Sequence, residues 1–184
     1  QHLVEQLSAG GNHSLMVTHS GGLLVCGRGR HGALGLGDNS SRRVPLKVDP
    51  SAARPNLCAT NKLQRCSKCS GQCRVVQAAA GGNHSIILTG CGDVRTSGSN
   101  SYGQLGHGDT VSRYWFTTVE SLSRAGVRAV SLGDDHSAAV GAGGEMFLWG
   151  RGDWGQLGCN DTRSCWSPQV LKEVLLEDSC KVSP

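Results

Sequence analysis

The apolar residues of this chain fall in short runs: Leu15-Met16-Val17, Leu23-Leu24-Val25-Cys26, Ile86-Ile87-Leu88, Ala138-Ala139-Val140 and Met146-Phe147-Leu148-Trp149. Gly, Asn and Asp punctuate them. Runs this short between turn formers predict strands joined by tight turns, not helices. Glycine at those turns supplies positive φ or lets two backbones approach closely. No run is long enough to cross a bilayer.

The pattern repeats. Gly10-Gly11-Asn12-His13-Ser14 returns as Gly81-Gly82-Asn83-His84-Ser85 and as Gly133-Asp134-Asp135-His136-Ser137. A valine precedes each His (Val4, Val75, Val127), a turn glycine follows it (Gly21, Gly92, Gly144), and a corner then opens at Gly27, Gly98 and Gly150. The corners close at Gly35, Gly106 and Gly158, after Leu34, Leu105 and Leu157. A last strand is expected from Pro45 and from Pro168, with Phe116 in that place in the middle unit, since Pro suits a strand's first residue or an edge. Four short antiparallel strands per unit, recurring at about fifty residues, is β-propeller blade arithmetic. The expected fold is therefore all-β, about three blades of a larger propeller, at residues 1–48, 75–122 and 127–174. His13 and His84 are 71 residues apart but His84 and His136 only 52. The corner-to-Pro spacing is conserved, so the excess forms an inserted loop, 49–74, and a tail occupies 175–184.

These residues carry a resemblance. Gly98-Ser99-Asn100-Ser101-Tyr102-Gly103-Gln104-Leu105-Gly106, with the Gly-x-x-His-Ser pattern and the turn glycine, resembles the regulator of chromosome condensation repeat. Gly155-Gln156-Leu157-Gly158 repeats the corner's close. The first corner departs from it with Arg28-Gly29-Arg30-His31, and the third has Gly152 in place of Asn. The resemblance implies a seven-bladed-type propeller, of which three repeats make an incomplete ring. An open arc leaves sheet faces uncovered, so other chains or further blades are expected to cover them.

Composition narrows the classes. Of 184 residues, 17% are charged and 38% hydrophobic, which excludes a charge-driven disordered tail and a membrane-embedded chain. A net charge of +4 permits acidic partners without implying nucleic acid. The chain does not begin with Met, which is read as an excised domain, a processed product or part of a longer protein. Nine cysteines, four crowded in one segment, are unlike a secreted disulfide scaffold and favour an intracellular, reducing compartment.

Four candidate chemistries follow. His13, His84 and His136 are metal-ligand types, but one repeat position is spread around a ring, so they read as structural, bonding the neighbouring turn. The adjacent Ser14, Ser85 and Ser137 point to the opposite face of the strand, which removes a Ser–His nucleophile. Cys58, Cys66, Cys69 and Cys73 leave three readings open: a zinc site, a local disulfide, or an incidental loop. The last is favoured because only one Cys-x-x-Cys pair exists. Arg28, Arg30, Arg42 and Arg43, with Lys47, form a basic group that reads as a solvated rim or an acidic-partner or RNA contact. Tyr102, Trp115 and Trp154 read as packing residues.

No acid–base pair, activated nucleophile or nucleotide loop remains, so the expected function is a non-catalytic protein-interaction or scaffold module without a cofactor. By resemblance such repeats dock partners, and the founding member promotes guanine-nucleotide exchange on a Ran-type small GTPase. Exchange is the rival reading. A third is a structural subunit of a large, RNA-containing assembly.

Overall fold

The computed structural model describes residues 3–48 and 74–171. Twelve strands form three four-stranded sheets, each with its strands paired in sequence order. The first holds β1 (Val4–Ala9), β2 (His13–Thr18), β3 (Leu23–Gly27) and β4 (Arg42–Val48). The second holds β5 (Val75–Ala80), β6 (His84–Thr89), β7 (Val94–Gly98) and β8 (Arg113–Thr118). The third holds β9 (Ala129–Leu132), β10 (His136–Val140), β11 (Met146–Gly150) and β12 (Cys165–Val170). Two short 3-10 turns, Arg30–Gly32 and Glu120–Leu122, are the only helical elements among the described residues. No helix there is long and apolar enough to cross a membrane.

The sheets stack face to face as propeller blades, and the core lies between them rather than within any one. Side chains alternate across a strand, so a blade covered on both sides must be apolar on both. β6 shows this: Ile87 packs toward the first blade with Leu15, Val17, Leu23 and Val25, while Ile86 and Leu88 pack toward the third with Val130 and Trp149. All six β6 residues are buried.

The outer strands differ from expectation. β4 and β12 begin at Arg42 and Cys165, three residues before Pro45 and Pro168. The ladder runs from Val25–Leu46 to Gly27–Arg42, so residues 43–45 bulge out opposite Cys26; residues 166–168 bulge in the same way between Gln169 and Cys165. A bulge on an edge strand leaves its backbone N–H unpaired, which is where Pro is tolerated. Phe116 lies in the equivalent bulge, between Thr117 and Arg113.

Neighbouring blades also bond through polar groups. Gln6 and Ser8 of β1 accept the β5 backbone N–H groups of Ala78 and Ala80, both at 3.0 Å. Gln77 of β5 both accepts from and donates to Val130 of β9, each at 3.0 Å. The inner edge strands thus have their exposed ladder groups satisfied by side chains of the preceding blade, which answers the edge-strand liability.

Candidate functional site: two open blade faces and a basic corner

The repeat histidines join one blade to the next. His13 Nε2 lies 2.8 Å from Ser85 Oγ, and His84 Nε2 lies 3.1 Å from Ser137 Oγ. Each serine hydroxyl in turn donates to a corner carbonyl of the preceding blade, Ser85 to Ala33 and Ser137 to Gln104, both at 2.7 Å. With the hydroxyl proton committed to a carbonyl, the imidazole must be the donor in the His–Ser bond. That is the reverse of nucleophile activation, where imidazole takes the serine proton. The rings of His13 and His84 therefore bond the next blade's strand, while the backbone carbonyls of His13, His84 and His136 accept the N–H of the neighbouring turn glycines Gly10, Gly81 and Gly133 at 2.9–3.0 Å.

Burial pushes the His84 imidazole down to about 3, with smaller contributions from His13 and His136; it is neutral at physiological pH. His13 is lowered by burial as well. Its glycines explain themselves by distance. A Cβ on Gly10 would stand 2.2 Å from the Gly81 carbonyl oxygen, and one on Gly81 would stand 2.6 Å from both the Gly133 oxygen and the His84 ring.

The first two corners pack on the following blade's outer strand. Gly37 donates to the Tyr114 carbonyl at 2.8 Å, and Gly108 to that of Trp166 at 2.9 Å. A Cβ on Gly32 (φ +84°) or Gly103 (φ +75°) would meet the Cα of Tyr114 or Trp166 at 2.5 Å. Buried Asn100 knits its corner by donating to the Asp109 and Val111 carbonyls and accepting from Leu105 N–H at 2.9 Å. Gln104 and Gln156 accept from the N–H of Tyr102 and Trp154 in the same way. Leu105 and Leu157 are buried, as is Leu34.

Two faces lack this cover. On the first blade Leu7 is 66% exposed and Val4 48%, whereas Ala78, Val130, Val75 and Val127 at the same two repeat positions are 5% or less. On the third, Met146 is 38% exposed where Leu23 and Val94 are at most 1%. Trp154 is 85% exposed, against expectation, because among the described residues no following blade covers it; Tyr102 at that position lies under Arg151, 4.7 Å from ring centre to guanidinium. Among the described residues nothing would lie within 4 Å of a Cβ at Gly155. These faces were not visible as a residue motif. The signal was the repeat count.

The basic group divides. Arg42 is held by Asp38 at 2.6 Å, as Arg113 is by Asp109 at 2.6 Å. Arg43 stands on β4, exposed, at the position of Tyr114 and Trp166. Arg28 and Arg30 line a cavity of about 280 Å³ with His31, Asn39 and Ser41. Cys58, Cys66, Cys69 and Cys73 lie outside the described residues. Among the described residues no three His, Cys, Asp or Glu side chains are gathered to hold a metal ion. Burial, together with the neighbouring Cys159, pushes the Cys165 thiol up, which disfavours a reactive thiolate there.

Comparison with known proteins agrees with this architecture. The regulator of chromosome condensation (RCC1) repeat matches residues 20–88, 92–140 and 143–183. The chain is 31% identical over 169 residues to the ultraviolet-B receptor UVR8 of Arabidopsis thaliana, covering 92% of this chain and 34% of the receptor. It is 32% identical over 166 residues to the human X-linked retinitis pigmentosa GTPase regulator, covering 90% and 14% respectively. Among solved structures, Prp20p of Saccharomyces cerevisiae superposes with a TM-score of 0.74 at 21% identity, covering 95% of this chain and 40% of that one. The chain thus spans about a third or less of these two curated relatives. Three matched repeats, three meandering blades and the like packing of the first two corners on the blade that follows make this chain a member of the regulator of chromosome condensation repeat family.

Proposed function

We propose that this chain is a non-catalytic protein-interaction module whose two open blade faces are covered by other protein, either further blades or a partner chain. The observation that carries this reading is Leu7, 66% exposed at a position buried in both following blades. Burying one leucine is worth about 1.5–3 kcal/mol, and both faces present several apolar residues at once. Each face also offers a bond awaiting its counterpart. Ser14 stands where Ser85 and Ser137 receive a histidine, and His136 where His13 and His84 donate.

Catalysis finds no support in the described residues. Ser85 and Ser137 accept a hydrogen bond from imidazole and donate their own to a carbonyl, so neither is deprotonated by its histidine, and the buried imidazoles are neutral. The Prp20p structure was reported with that protein's binding to Gsp1p and histones, and yeast RCC1 was solved bound to Kap60. Both reports describe protein partners of a protein with this fold, which is in keeping with an interaction module. The test is a pull-down of the chain against its Leu7→Asp variant, using a separately produced blade pair from the same chain (residues 75–171) as bait. Binding lost in Leu7→Asp supports the reading. Binding unaffected by it, or accelerated GDP release from a Ran-type GTPase by the chain at catalytic amounts, overturns it.

A further inference from the structure

The three corners are built alike but charged differently. In the third, Arg151 is neutralised by Asp135 at 3.6 Å and Asp153 at 2.7 Å, and its guanidinium covers Tyr102. In the second the same three positions hold Ser99, Asn83 and Ser101, a neutral set. In the first they hold Arg28, Asn12 and Arg30: the arginine stays, one acid is an amide, and the other is a second arginine. The corner's own aspartate, Asp38, is taken by Arg42 at 2.6 Å and by the Ser40 N–H at 2.8 Å. No described acidic side chain pairs with Arg28 or Arg30.

The polar side chains that line the cleft beside these arginines can each donate a hydrogen bond. His31, Asn39 and Ser41 complete the lining. Ser41 Oγ accepts the Gly29 N–H at 3.4 Å, which leaves its own proton to donate. His31 has φ +59°, a left-handed backbone that Tyr102 and Trp154 at the same position do not share. Holding a non-glycine residue there costs about 1 kcal/mol, a strain that tends to be kept where a side chain is being aimed.

We propose that this corner binds a phosphorylated serine or threonine side chain of a partner protein. Two unpaired guanidiniums match a dianion and can engage phosphate oxygens bidentately. An imidazole, a hydroxyl and an amide add more donors than a carboxylate's two oxygens use. At about 280 Å³ the cavity has room for the phosphate and for the residue that carries it. Nucleic acid is disfavoured because a strand needs a continuous cationic track, whereas the second corner is neutral at these positions and the third pairs Arg151 with Asp135 and Asp153. Docking of this kind, an anionic side chain into an arginine cluster, is a recurrent way for one protein to read another's modification. The site rests on the interaction-module reading but on different residues from the open faces.

The probe is N-acetyl-phosphoserine amide, titrated into isotope-labelled protein and followed by amide NMR shifts. Saturable shifts confined to residues 28–32 and 39–41 are expected, with N-acetylserine amide silent and inorganic phosphate weaker. The Arg28→Ser/Arg30→Ser double variant installs the residues the second blade already uses at that corner, so it retains the fold; it should weaken binding at least tenfold. Arg43→Ser should leave it within twofold. Leu7→Asp, which disables the open face, should leave it unchanged, so the two proposals fail separately. No saturable shift, inorganic phosphate binding as tightly as the phosphoserine compound, or a short oligouridylate binding tighter at the same residues would overturn the proposal.

Discussion

At the scale of single residues, the repeat motif is a set of contacts between blades. His84 shows the consequences for pH. Its imidazole is lowered from 6.5 to about 3 by burial, so the unfolded chain takes up the proton first as acid is added. The stability it contributes is complete above the unfolded value and is lost as pH falls from 6.5 toward about 3, by up to about 1.4 kcal/mol per pH unit. Urea unfolding between about pH 4 and 7 should therefore show a shallower acid limb in His84→Gln than in the parent; identical slopes would mean the ring is not neutral in the fold. Ser85→Ala should cost about 1–3 kcal/mol, because it strands the His13 N–H and leaves the Ala33 carbonyl only the Ser97 hydroxyl at 3.5 Å. Which residues recur was readable from the chain, but what the histidine bonds was not. Its partner lies 72 residues further on, in a position defined only once two sheets are stacked.

At the scale of elements, the strand meander was legible because four- to six-residue runs between glycines admit little else. The outer strands were misjudged by three residues because the bulges at 43–45 and 166–168 place Pro in mid-strand, and a bulge leaves no signature in hydrophobic alternation. Trp154 was expected to pack and does not, since its cover would come from a neighbour that three repeats do not supply. The basic corner was partly legible: Arg28 and Arg30 line the cavity, but the Asp38–Arg42 bridge removes Arg42, and no spacing rule announced that pairing. Blade position also sets mutational cost. Leu7→Asp should change the unfolding free energy of the chain alone by no more than about 0.5 kcal/mol, whereas Ala78→Asp, the same position one blade on, buries an unpaired carboxylate and should cost about 4 kcal/mol or more. Chemical denaturation of the two variants side by side checks this. Equal costs would mean the first face is covered within the chain.

At the scale of the whole molecule, the described residues form an arc whose inner contacts are complete and whose two ends repeat those contacts with one side uncovered. The exposed end of the first blade offers Leu7, Val4 and Ser14; that of the third offers His136, Met146 and Trp154. These are the two halves of the interface seen twice inside the arc, so the ends are complementary to each other as well as to any further blade. A molecule with such ends associates. Native mass spectrometry across a range of micromolar concentrations measures this most directly. The chain alone should appear above its 19.3 kDa monomer mass and fall back to it in the Leu7→Asp variant. A folded species that stays at 19.3 kDa at tens of micromolar, in parent and variant alike, would contradict the claim that the end faces exist to be covered.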